Sequence, residues 1–343
     1  MKLFDNIKNN KIYIVAEMSA NHGGSLQHAL EVAHAAKEAE ADCLKIQTYT
    51  ADTITIDCDN DFFKVKGGLW DGYTRYQLYK EAYTPWEWQG RIKEECQKIG
   101  LDFFSSPFDP SAVDFLESIG TEAYKIASPE LVDIPLIEYT AKKGKPMVMS
   151  CGMANPEEIN AAIAACERNS NYNIILLKCT TEYPAPISDM NLLTIPDMQN
   201  RFGYPVGLSD HTMGFTADVV AVALGAVLIE KHFCISKNET GADIAFSMDF
   251  DMFRDMVKAV RETKELLGKC TYELSEGERR ARNGRRSLFA VKDIGKGDII
   301  TEVNVRSIRP GVGLPPIELK NILGRKATVD IPFGTPISME GLE

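Results

Sequence analysis

Eight short apolar runs punctuate the first part of the chain, at residues 12–17, 43–47, 102–105, 123–128, 146–150, 174–181, 204–209 and 226–233. Such runs, with few polar interruptions, are the pattern of strands buried on both faces. Stretches with helical spacing alternate with them, at 26–40, 86–99, 111–119, 215–226 and 251–267. Another helix starts at Asn155, an N-cap residue followed by Pro156 and two glutamates. Strand and helix in alternation predict a parallel sheet joined by crossovers. Eight such units predict a (β/α)8 TIM barrel, with its chemistry at the C-terminal ends of the strands.

Two stretches break the pattern. Residues 49–84 form an insertion rich in Asp, Gly and aromatics, too long for an ordinary loop and too aromatic for disorder. After Cys270 the composition shifts: 271–286 are highly charged, and 287–343 read as a Gly/Pro-punctuated β-rich segment. The expected organisation is a barrel over 1–270, a linker over 271–286 and a small C-terminal domain over 287–343. A module that small is marginal alone and should pack on something.

The strand ends supply the candidate chemistry. Glu17, Lys45, Gln47, Ser106, Lys125, Ser128, Ser150, Thr181, Ser209, His211, Glu230 and His232 all fall at or near them. A lysine inside an apolar strand is costly unless paired or functional. Lys45 and Lys125 are therefore either working cations or partners of Glu17 and Glu230 in barrel-lining ion pairs. With the serines and Thr181 they form the inventory of an anion cradle, although each hydroxyl could instead satisfy a loop. His211 and His232 end the seventh and eighth strands, which a βαβ unit places side by side about 4.8 Å apart. They could share one divalent ion, with Asp210 and Glu230 nearby, or each be hydrogen-bonded and structural. Arg309 sits in a stiff Pro/Gly loop of the tail, either presented for use or an ordinary surface arginine.

Composition narrows the class. A 44% hydrophobic and 25% charged chain is that of a soluble globular protein. A net charge of −11 argues against nucleic acid as a partner and requires an anionic substrate to be held by local positive charge. No run reaches the roughly 18 apolar residues of a membrane span. The N-terminus shows no signal-peptide pattern. The eight cysteines show no CxxC spacing. Reduced thiols and a cytoplasmic location are the expectation.

The motifs at the strand ends are familiar as a set. Residues 16–24 (AEMSANHGG), 45–49 (KIQTY), 104–109 (FSSPFD), 124–128 (YKIAS), 150–153 (SCGM), 207–212 (GLSDHT) and 229–233 (IEKHF) resemble the sialic acid synthase family, in order and over essentially the whole chain. The tail resembles the antifreeze-like (SAF) domain of these enzymes. The insertion and the segment 241–247 (GADIAFS) resemble the pseudaminic branch of the family.

The resemblance implies condensation of phosphoenolpyruvate with an N-acetylated amino sugar, releasing phosphate. In this branch the sugar is 2,4-diacetamido-2,4,6-trideoxy-L-altrose. The neuraminate and legionaminate branches use other amino sugars on the same machinery. By family position, Lys45, Ser106, Lys125, Ser128, Ser150, Thr181 and Ser209 bind phosphoenolpyruvate. Gln47, Tyr183 and Asp243 hold the sugar. Arg309 reaches it from the partner subunit of a domain-swapped homodimer. His211 and His232 hold a divalent metal, Mn2+, with Mg2+ and Co2+ as alternatives; two imidazoles favour Mn2+ over Mg2+. A carboxylate near C2 should stabilise positive charge there and take a proton from water, a role for Glu17 ahead of Glu230. Bacterial surface-glycan or flagellar-glycan synthesis follows from the family alone. A catalytically inactive sugar-binding barrel is the reading from another class, and the intact Lys, Glu and His set argues against it.

Overall fold

The computed structural model describes residues Met1 to Glu343. The chain forms two compact units, Met1–Gly268 and Lys269–Glu343. The first is a closed barrel of eight parallel strands in sequence order. These are β1 (Tyr13–Glu17), β2 (Cys43–Thr48), β3 (Asp102–Pro107), β4 (Tyr124–Ile126), β5 (Met147–Ser150), β6 (Ile174–Cys179), β7 (Val206–Asp210) and β8 (Leu228–His232). β8 pairs with β1, setting His232 opposite Glu17. β6 stops at Cys179, so Thr181 belongs to the loop beyond it. The expected helix start at Asn155 is present, with a reciprocal capping box to Glu158.

Side chains alternate along each strand, and this period builds the site. Tyr13, Val15, Cys43, Phe104, Val148, Ile175, Leu177 and Leu228 form a buried apolar cluster inside the barrel. Leu3, from a short N-terminal helix (Leu3–Lys8) that the sequence pattern does not reveal, joins them. Two residues further along the same strands stand Glu17, Lys45, Ser106, Ser150, Cys179 and Glu230. The apolar layer is thus the floor and the polar layer the mouth. Gly207 is part of that floor: a Cβ there would lie 2.5 Å from the Leu228 carbonyl oxygen and 2.8 Å from Leu177. The opposite strand faces, among them Ile14, Leu44, Ile46, Leu176, Leu208 and Ile229, belong to the larger core that includes the helices.

The insertion is more ordered than a loop. It holds helices Ala51–Ile54 and Arg75–Ala82, the second with a Thr74–Gln77 capping box. The second unit carries a small antiparallel sheet, β9 (Ser287–Ala290) with β10 (Val305–Ile308), around its own apolar cluster. Residues 271–286, expected as a linker, are part of this unit: they include helix Glu276–Ala281, and Gly311 N donates to Asn283 O at 3.0 Å. No helix of either unit is long and apolar enough to cross a membrane.

Candidate active site

Four ionisable residues meet in the polar layer. Lys45 Nζ lies 2.5 Å from Glu17 Oε2 and 3.6 Å from Glu230 Oε1. Lys125 Nζ donates to the same Glu230 oxygen at 3.2 Å, and Ser209 Oγ donates to it at 3.1 Å. Gln47 Nε2 donates to Glu17 Oε1 at 3.3 Å and to Ser19 Oγ at 3.0 Å. All four charged side chains are at most 5% exposed. The structure shows the ion-pair alternative for the lysines, at the barrel mouth. Burying a charge pair costs several kcal/mol per ion before attraction is counted, which a purely structural barrel has no need to meet.

The set is electrostatically uneven. Burial and the neighbouring Glu230 charge raise the Glu17 pKa, against the pull of Lys45. Burial also works against ionisation of Glu230, but Lys125 and Lys45 override it and its pKa falls. Burial lowers that of Lys125, opposed by Glu230 and assisted by the like charge of Lys45. Against the same burial, Glu17 and Glu230 raise the pKa of Lys45.

Hydroxyls complete the anion cradle. Ser106 Oγ and Ser150 Oγ are buried without a hydrogen-bond partner. Buried polar atoms left unmet cost on the order of 1–3 kcal/mol each, so a ligand that meets them is bound by the difference. Ser128 Oγ accepts from Gly152 N at 3.1 Å. Gly152 must be glycine: a Cβ would lie 2.2 Å from Thr181 Oγ1 and 2.8 Å from Ser128 Oγ. That glycine passed unremarked in the sequence, because only the folded loops bring its neighbours against it.

The two histidines stand with ring centroids 5.5 Å apart. His211 Nδ1 donates to Thr180 O at 2.9 Å, which leaves the lone pair on Nε2. His232 Nδ1 is buried with no partner, and 3.9 Å from Asp243 Oδ2. Burial, with the neighbouring His211 and Lys45 charges, lowers the His232 pKa, whereas that of His211 is raised despite burial by Cys179 and the Thr180 carbonyl. A ring nitrogen with a free lone pair is what a cation requires. No cluster of three or more His, Cys, Asp or Glu side chains gathers beside them. The sequence expectation that Asp210 adds a carboxylate here is overturned. Alternation turns it to the outer face of the sheet, where it binds Lys231 and Thr212.

A cavity of about 380 Å3 opens beside the histidines. Gln47, Thr181, Tyr183, His232 and Asp243 line it together with Trp70 and Arg75 from the insertion. Tyr183 packs on His211 at 4.3 Å between centroids and on Phe246 at 5.1 Å. Trp70 reaches Tyr183 at 6.1 Å and Phe246 at 6.3 Å. A larger cavity, about 490 Å3, shares Trp70, Leu78 and Ala242 but touches none of the lysines, serines or histidines. Arg309 is exposed, on the second unit.

Two further groups were not legible as site residues. Glu130, in the turn after β4 beyond Ser128, has a carboxyl pushed up to about 7 by burial, with Oε2 unpartnered. Cys179 lies 3.9 Å from His211 Nδ1; burial alone would raise its thiol, but the histidine draws it down to about 7. Neither belongs to a spacing pattern that singles it out.

A TIM barrel with an anion cradle beside two bare imidazoles and a polar-aromatic pocket is the frame of a carbon–carbon bond-forming enzyme acting on an anionic partner. The chain belongs to the NeuB family, whose model matches residues 32–272, and carries a SAF domain over 285–343. It is 47% identical over 324 residues to the pseudaminic acid synthase of Campylobacter jejuni subsp. jejuni serotype O:23/36, spanning 94% of each chain. The pseudaminic acid synthase of Helicobacter pylori is 44% identical, over 96% of this chain and 97% of its own. Among solved structures, the spore coat polysaccharide biosynthesis protein SpsE of Bacillus subtilis superposes with a TM-score of 0.65 at 32% identity, covering 97% and 95% of the two chains. The family resemblance read from the strand-end motifs is borne out.

Proposed function

We propose that this chain condenses phosphoenolpyruvate with 2,4-diacetamido-2,4,6-trideoxy-L-altrose and water, giving pseudaminic acid and inorganic phosphate, in the cytoplasm. The observation that carries the reading is the juxtaposition at one barrel mouth of a partly unsatisfied Lys/Ser anion cradle and two adjacent imidazoles. The 44–47% identity to relatives named pseudaminic acid synthase supports the choice of sugar.

In this reading Lys45, Lys125, Ser106, Ser128, Ser150, Thr181 and Ser209 hold the phosphate and carboxylate of phosphoenolpyruvate. The unpartnered Ser106 and Ser150 hydroxyls support this role. Gln47, Tyr183 and Asp243 orient the sugar so that its aldehyde carbon faces C3 of the enol. A divalent cation held by His211 and His232, Mn2+ by donor type, supplies Lewis acidity to the sugar carbonyl. The C3–C1 bond forms as the carbonyl π electrons move to oxygen, which takes up a proton. Positive charge then develops at C2. Glu17 stabilises that charge and takes a proton from the water that adds to C2. Cleavage of the C2–O bond releases phosphate and leaves the 2-keto acid. Arg309 of a swapped partner's tail would contact an N-acetyl group.

The test is phosphate release from phosphoenolpyruvate with Mn2+, offering the altrose sugar, N-acetylmannosamine and the legionaminic precursor in parallel. Release with the altrose sugar alone is expected. Release with another sugar alone would overturn the substrate assignment and keep the mechanism. Release with none, from folded protein, would overturn the enzyme and leave a sugar-binding barrel.

A further inference from the structure

Asp210 and Lys231 are register partners at the end of the β7–β8 ladder, one residue before His211 and one before His232. They point away from the site, to the outer face of the sheet, yet they are only 1% and 2% exposed. Lys231 Nζ donates to Asp210 Oδ2 and, at 2.8 Å, to the carbonyl oxygen of Thr212; Asp218 Oδ2 lies 3.8 Å away. Asp210 in turn accepts from Thr212 N at 2.9 Å and from Thr212 Oγ1 at 3.0 Å. One ammonium from β8 therefore grips the residues on both sides of His211.

The position matters because His211 lies past the last paired residue of β7. Its own ties, Nδ1 to Thr180 O and its carbonyl oxygen from Ala185 N at 2.9 Å, run to the segment after β6. Neither holds it to the strand that carries His232. A surface pair in this place would contribute little. A buried one is costly to desolvate and is best attested where it specifies one arrangement among several. We propose that the Lys231–Asp210–Thr212 network is a positioning device, which sets the spacing of the two imidazoles from behind the sheet without touching substrate or cation. The proposal rests on the reading that His211 and His232 jointly hold a divalent cation.

The experiment titrates Mn2+ into the full-length protein without substrates, following free Mn2+ by electron paramagnetic resonance. Wild type, His232→Ala, the charge-free double variant Asp210→Asn/Lys231→Met, and Thr212→Val are compared. Melting temperature and phosphoenolpyruvate affinity without metal serve as controls. His232→Ala should lose Mn2+ binding. The double variant should bind Mn2+ at least tenfold more weakly while its metal-free phosphoenolpyruvate affinity stays within twofold of wild type. Thr212→Val, which removes one strut, should weaken Mn2+ two- to threefold. Wild-type Mn2+ affinity in a folded double variant overturns the positioning role. A parallel loss of phosphoenolpyruvate affinity also overturns it, because general disorder of the mouth would then explain both. If the double variant does not fold, Thr212→Val decides alone, and unchanged affinity overturns the proposal. Mn2+ binding retained by His232→Ala would instead overturn the paired-imidazole reading itself, a result distinct from the others.

Discussion

At the scale of single residues, the site is marked by groups kept in states that folding alone would not select. Glu130 is the clearest: a half-buried carboxyl pushed up to about 7 by desolvation, with one oxygen unpartnered. Its pKa is raised above the unfolded value, so it favours the folded state least at high pH. The associated stability is present below about pH 4.5 and is lost as pH rises through about 7. The full span is worth roughly 3 kcal/mol. Glu130→Gln is therefore expected to be more stable than wild type at pH 8 and closer to it at pH 5. It should also turn over about 100-fold more slowly if the group moves a proton in the reaction. Chemical denaturation at the two pH values, with steady-state kinetics, checks both halves. A variant that is stabilised and fully active would make Glu130 a passive buried acid.

At the scale of elements, the insertion at 49–84 is the part that distinguishes this barrel mouth. The turn between its two helices brings Trp70 against Tyr183 and Phe246, residues of the segments after β6 and β8. Leu78, Tyr79 and Val65 extend the same wall of the cavity. An apolar wall suits a 6-deoxy sugar, whose methyl group needs no hydrogen-bond partner, better than one with a 6-hydroxyl. Trp70→Ala should raise KM for the altrose sugar about tenfold, equivalent to roughly 1.4 kcal/mol, and leave KM for phosphoenolpyruvate unchanged. Equal increases in both would mean that the wall supports the whole mouth and does not select the sugar.

At the scale of the molecule, the net charge of −11 must be set against an anionic substrate. The buried lysines resolve this locally, since charges at short range in a dry site outweigh a screened overall field. The second unit carries a separate prediction, from the proposal that Arg309 serves the site of a swapped partner. Arg309→Ala and His232→Ala chains, each impaired alone, can be unfolded together and refolded. A swapped dimer would then recover about a quarter of the wild-type sites, because half the dimers are mixed and each mixed dimer has one complete site. No recovery would assign each tail to its own barrel.

Much of this was legible in the sequence, for a physical reason. Strand and helix follow from local hydrophobic period, and a fold made of eight repeats of one local unit needs little long-range information to be read. The same period placed Glu17, Lys45, Gln47, Glu230 and His232 at strand ends and on the inward face. What the chain order could not carry was contact across the barrel mouth. That Lys45 and Lys125 share Glu230, that Gly152 must be bare for Ser128 and Thr181 to meet beside it, and that Trp70 closes on Tyr183 depend on residues far apart in the chain. Asp210 shows the limit most directly: adjacent to His211 in sequence, it faces the other side of the sheet, because neighbours on a strand point apart. The sequence by itself determined the barrel, the floor and the cast of polar residues at the mouth. Only the tertiary structure decided which of them are paired and which are left unsatisfied, because pairing depends on distances that backbone closure sets.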